Sequence, residues 1–108
     1  MEEEILHLYQ EPAIGASYTN TYGEENIRNL LKKYRSLDDT GMQQMMKMMV
    51  NFSQSTDLAT SFVSVGVLHA LGQKECVAEA YLWANTQEDA ERIISHFEIG
   101  KSVADYFS

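Results

Sequence analysis

The apolar residues of this chain recur at the spacing of one helix face, segment after segment. Ile27, Leu30, Leu31 and Tyr34 stand at i, i+3, i+4 and i+7, which gathers them on one side of a helix. The spacing predicts a helix from about Gly23 to Leu37. Thr21 followed by Glu24 reads as its capping box, the hydroxyl taking an orphan amide while the carboxylate reaches back. A second helix is predicted from about Gly41 to Phe52, opened by Thr40 with Gln43 three residues on. Its stripe is Met42, Met45, Met46, Met49 and Val50, and with Met48 it holds five of the six methionines. Flexible thioethers fill irregular core space, and they also make adaptable binding grooves. Core filling is the expected role.

A third element, Asp57 to Leu71, is apolar at Leu58, Phe62, Val63, Val65, Val67, Leu68 and Leu71. Apolar residues nearly all round predict a central, buried helix. The valines between Ser61 and Leu68 suit a strand as well, but the small residues among them and Gly72 as a left-handed stop favour helix. Beyond Gly72 a helix to about Trp83 would face Val77, Ala80, Tyr81 and Ala84 inward, with Asn85 ending it. Thr86 with Asp89 reads as the cap of a helix from Gln87 to Glu98, whose stripe is Ala90, Ile93, Ile94 and Phe97 and whose stop is Gly100. A short last helix, Lys101 to Phe107, and a short first one, Glu3 to Gln10 stopped by Pro12, complete the series. Glu11 to Tyr22 mixes turn formers with aromatics and is expected to be loop.

About five to seven short helices with connections of roughly two to five residues imply antiparallel chain neighbours in an all-α bundle, one domain over residues 1–108. The helix starts recur on the scale of roughly one hairpin every 30 to 35 residues, as in helical solenoids. Asp57 to Gly72, ending Ala-Leu-Gly, resembles the second helix of a HEAT-type repeat, with no second copy in the chain. A compact irregular bundle is the expected architecture, with HEAT-like hairpins as its alternative.

Charge bears on partners rather than on fold. There are 16 acids against 8 bases, a formal net charge of -8. Arg28, Lys32, Lys33 and Arg35 supply half of the bases in one short stretch, where Arg28 and Lys32 balance Glu24 and Glu25 one turn earlier. Such a field repels nucleic acid and anionic membrane and attracts basic proteins. Helix starts account for Glu24, Glu25, Asp38, Asp39, Glu88 and Asp89, because carboxylates favour the positive end of a helix. Glu2, Glu3, Glu4, Glu75, Glu79, Glu91, Glu98 and Asp105 have no such reason. Glu75 and Glu79, one turn apart, repel each other. With Glu91 and Glu98 they are the candidate partner-binding residues.

No motif for catalysis, metal or nucleotide accompanies this charge, and no cofactor is expected. His7, His69 and His96 lie far apart in sequence, without metal-ligand spacing. His69 is expected to be a hydrogen-bonded seam residue, His7 a surface residue, and His96 a last-turn residue suited to the helix dipole. Cys76, near a helix start that lowers a thiol's pKa, has no base to activate it and is expected to be apolar filler. One cysteine, an acidic opening unlike a signal peptide, and no apolar run approaching the ~18 residues of a span point to the cytoplasm.

Size and charge together suggest a small non-catalytic protein that neutralises a basic partner. Dedicated inhibitors of basic nucleases, such as immunity proteins and antitoxins, are of this kind. The alternatives are an adaptor or assembly subunit binding through the methionine face or the aromatics Tyr18 and Tyr22, and a small enzyme or ligand-binding bundle using a His with a nearby carboxylate.

Overall fold

The computed structural model describes residues 2–10 and 23–106. Six helices span them: α1 (Glu2–Gln10), α2 (Glu24–Arg35), α3 (Asp39–Phe52), α4 (Leu58–Ala70), α5 (Lys74–Ala84) and α6 (Ala90–Asp105). The loop expected over Glu11 to Tyr22 and the proposed cap Thr21 lie outside the described residues. No strand occurs among the described residues, so the valine-rich segment is helix.

α4 is the centre. Ser61 and every residue from Val63 to Leu68 are buried, and α1, α2, α3, α5 and α6 all pack on it. In a solenoid each repeat touches only its sequence neighbours. One helix serving all the others therefore makes a bundle, with a radius of gyration of 12.9 Å. Its buried polar atoms are matched: Ser64 Oγ donates to the Thr60 carbonyl at 3.0 Å and accepts from the Tyr9 hydroxyl at 2.6 Å, tying α1 to α4. The helix closes in a Schellman turn. Gly72 has φ 74°, Gln73 N–H donates to Leu68 O at 3.0 Å, and Gly72 N–H to His69 O at 3.0 Å.

α4 and α6 run parallel, because Phe62 lies against Gly100 while His69, farther along α4, meets Asp105, farther along α6. They approach closely: a Cβ on Gly66 would stand 2.8 Å from Gly100 O, and one on Gly100 only 2.3 Å from Phe62 O. This corrects the reading of Gly100 as a stop. The residue is glycine because the α4 backbone occupies the space of a side chain, and α6 continues through it to Asp105. The predicted helices on either side of it are one.

α2 starts where expected, and two further starts, those of α3 and α6, differ from expectation. α2 begins after Gly23 at φ 74°, a conformation glycine adopts freely, with Phe62 and Val63 filling the space beside its Cα. α3 is capped by Asp38 rather than Thr40: Gly41 N–H donates to Asp38 Oδ1 at 2.8 Å. α6 starts at Ala90, three residues later than predicted, because Thr86 Oγ1 donates back to Trp83 O at 2.6 Å and extends the α5 turn instead of capping the next helix. On α3, Met45 and Met49 are fully buried and perform the core filling expected of them, while Met42, Met46 and Met48 are half-buried.

Candidate functional site

α5 buries Val77, Ala80 and Ala84. The helical period then sends Glu75, Ala78, Glu79 and Leu82 to the opposite side, and all four are exposed. α6 buries Ile93, Phe97, Gly100 and Ala104, which leaves Glu91, Glu98 and Asp105, spaced by seven residues, along one exposed line with Ser95 and Ser102 between them. All four predicted partner-binding carboxylates, Glu75, Glu79, Glu91 and Glu98, are thus on the surface of these two helices. Glu75 and Glu91 stand in the first turns of α5 and α6, where the helix dipole favours a carboxylate, which corrects their reading as acids without a helix-start reason.

Their partners differ. Tyr81 on α5 donates its hydroxyl to Glu98 Oε1 at 2.9 Å, and Lys101 Nζ lies 3.7 Å from Glu98 Oε2 and 5.0 Å from the centre of the Tyr81 ring. Burial first, and then the carboxylate of Glu98 that takes its hydrogen bond, push the Tyr81 phenol well above its ordinary value. The same ring stands edge-on to Phe97 at 5.4 Å, so Glu98 is held on a fixed seam between the helices. Among the described residues no cation pairs with Glu75, Glu79 or Glu91. The contrast is with the other end of the chain, where Glu4 pairs with Lys33, and Glu24 and Glu25 with Arg28 at 3.1 and 2.9 Å. Residues 75–105 hold Glu75, Glu79, Glu88, Asp89, Glu91, Glu98 and Asp105 against Arg92 and Lys101.

Sequence reasoning missed Tyr81, Lys101 and Leu82 as parts of this face. Leu82 had a readable signal, because a leucine two residues after Ala80 and two before Ala84 falls off the buried stripe. It is 68% exposed. The placement of Tyr81 and Lys101 depends on how α5 crosses α6, which no local pattern encodes.

Cys76 is half-buried on α5. Burial, and then the carboxylates of Glu79 and Glu75, raise its thiol above the ordinary value, which reverses the expected lowering by the helix start. His69 is the expected seam residue, its Nε2–H donating to Asp105 Oδ1 at 2.8 Å. His96 departs from expectation: α6 continues past it, its Nδ1–H donates to Arg92 O at 2.8 Å, and its ring meets Phe62 edge-on at 6.2 Å. Among the described residues no group of three metal-ligating side chains converges and no helix is long and apolar enough to cross a membrane. A separate open groove of about 520 Å³ is lined by Tyr34, Met42, Met46 and Lys47. Compared with protein-family models, curated proteins and solved structures, the chain matches none.

Proposed function

We propose that this chain is a small, acidic, non-catalytic binding protein of the cytoplasm that occupies and neutralises a basic protein partner, as an immunity protein or antitoxin-type inhibitor does to a nuclease toxin. One observation supports this above the rest: Glu4, Glu24 and Glu25 on α1 and α2 have cations of their own chain beside them, whereas Glu75, Glu79 and Glu91 face solvent with none among the described residues. Unpaired like charges make the local potential more negative, which speeds encounter with a cationic surface and deters nucleic acid. Enzymes that act on nucleic acid present such cationic surfaces. The test is stopped-flow association of an isolated partner with wild-type chain and with the Glu75→Lys, Glu79→Lys double variant, between about 20 and 500 mM salt. The reading expects the on-rate to fall both with salt and with charge reversal. An on-rate indifferent to both would sink it.

The adaptor reading has support of its own in Met42 and Met46, half-buried beside Tyr34 in an open groove. It expects the opposite pattern: the lysine pair harmless, and Met46→Asp damaging to binding.

A further inference from the structure

The outer face of α5 combines two properties more fully than α1, where Leu6 beside Glu2 and Glu3 is only 38% exposed and Lys33 pairs with the neighbouring Glu4. The α5 face carries two carboxylates without cation partners, and between them and the end of the helix stands Leu82, 68% exposed. A single exposed leucine is ordinary on a protein surface. This one is placed where the charge already calls for a partner. Glu75, Ala78, Glu79 and Leu82 fall at i, i+3, i+4 and i+7, a straight strip about 10 Å long from first to last. Ala78 in its middle has no side chain beyond Cβ, so an approaching backbone could come close there. One edge is stiffened by Tyr81, the residue before Leu82, which is fixed to Glu98 and to the ring of Phe97. α5 packs on α4 and α6, and its strip faces away from both.

We infer that this strip docks a cationic amphipathic helix of the basic partner, one presenting two Lys or Arg side chains a turn apart to Glu75 and Glu79 and a large apolar side chain to Leu82. The inference rests on the basic-partner reading above and adds to it a centre of contact. Charge complementarity chooses the occupant. An anionic membrane or a nucleic acid meets repulsion from the carboxylates, and a second copy of this chain brings a net charge of -8 toward another -8. Leucine beside matched ion pairs follows the usual division at interfaces, in which a desolvated apolar anchor sets residence time and the surrounding charges set the rate of encounter.

The experiment uses the whole chain, ¹⁵N-labelled, titrated with a synthetic helical peptide of about 18 residues that carries paired lysines around a central leucine. A second peptide has that leucine replaced by serine. Amide shifts should concentrate on residues 75 to 82, the serine peptide should bind about tenfold more weakly, and Leu82→Ala should weaken the leucine peptide by a similar factor. Leu82→Ala should leave the serine peptide unaffected. Equal binding of both peptides, or shifts centred on α6 around Glu91 instead, overturn the docking strip while leaving the acidic face as a site for basic partners. Binding of neither peptide overturns both. Shifts centred on Met42 and Met46 overturn the strip in favour of the methionine groove.

Discussion

Gly100 lies so close to the carbonyl oxygen of Phe62 that a Cβ there would approach it to 2.3 Å. The contact is backbone against backbone, so no rotamer change can relieve it. It holds two parallel helices at a distance only glycine permits, and it fixes how α6 lies along α4.

Gly100→Ala is therefore expected to cost about 3 kcal/mol or more, well beyond an ordinary overpacking in a flexible site. Gly66→Ala, whose Cβ would meet both Gly100 O and the end of the Ile27 side chain at 2.8 Å, should also destabilise, and by less where the isoleucine can turn. Urea midpoints of the two variants check the order. A Gly100→Ala loss below about 1 kcal/mol would mean that the helices pack less closely than described.

Asp38→Ala should cost about 1 kcal/mol by leaving the Gly41 amide without its acceptor, whereas Thr40→Ala should change stability by a few tenths at most. Chemical denaturation of both variants separates the cap observed from the one the sequence suggested.

Phe62 is half-buried rather than sealed in the core. Its replacement by alanine should cost about 2 kcal/mol, less than the roughly 3 to 5 kcal/mol of a fully buried phenylalanine. Phe97→Ala, at a site with no exposure, should reach the higher figure. Thermal unfolding of the pair in one buffer tests the ranking.

The fold should weaken in alkali. Burial raises the Tyr9 phenol well above its ordinary 10.0, outweighing its hydrogen bond with Ser64. An acid raised on folding contributes its full stabilisation below its unfolded value and loses it as pH climbs past that value toward the folded one. The Cys76 thiol, raised from 9.0, acts with the same sign. Melting temperature should thus decline from about pH 9 upward, and Tyr9→Phe should flatten the decline above pH 10. An unchanged slope in that variant would count against a buried phenol.

Cys76 offers an independent probe of the acidic strip. Its thiol should alkylate more slowly at pH 8 than an unstructured cysteine, and the Glu75→Lys, Glu79→Lys variant should react faster because two of the three causes of the raised pKa are removed. The same variant should remain within about 1 kcal/mol of wild-type stability, since both positions are exposed. Equal alkylation rates would show that burial alone governs the thiol.

Periodicity by itself determined the element to be buried and the helices, save the last, which it split at Gly100. Val63, Val65, Val67 and Leu68 have no polar side to give to water, so α4 had to be central; Gly72 had to end it, because the Schellman turn needs a left-handed residue there. The exposure of Glu75, Glu79, Glu91 and Glu98 was equally legible, as the complement of the buried stripes on α5 and α6. What local pattern could not decide was anything set by a distant segment. Gly100 looks like a helix stop until α4 is placed against it, and the helix start beside Cys76 suggests a lowered thiol pKa until its burial and its carboxylate neighbours are known. Glu98 looks like its fellow acids until α5 brings Tyr81 across. A sequence states which side of each helix seeks the core, since that is a property of neighbours along the chain. Which backbones touch, which charges are matched and which surface is left over depend on how the helices cross, and only the tertiary structure decides that.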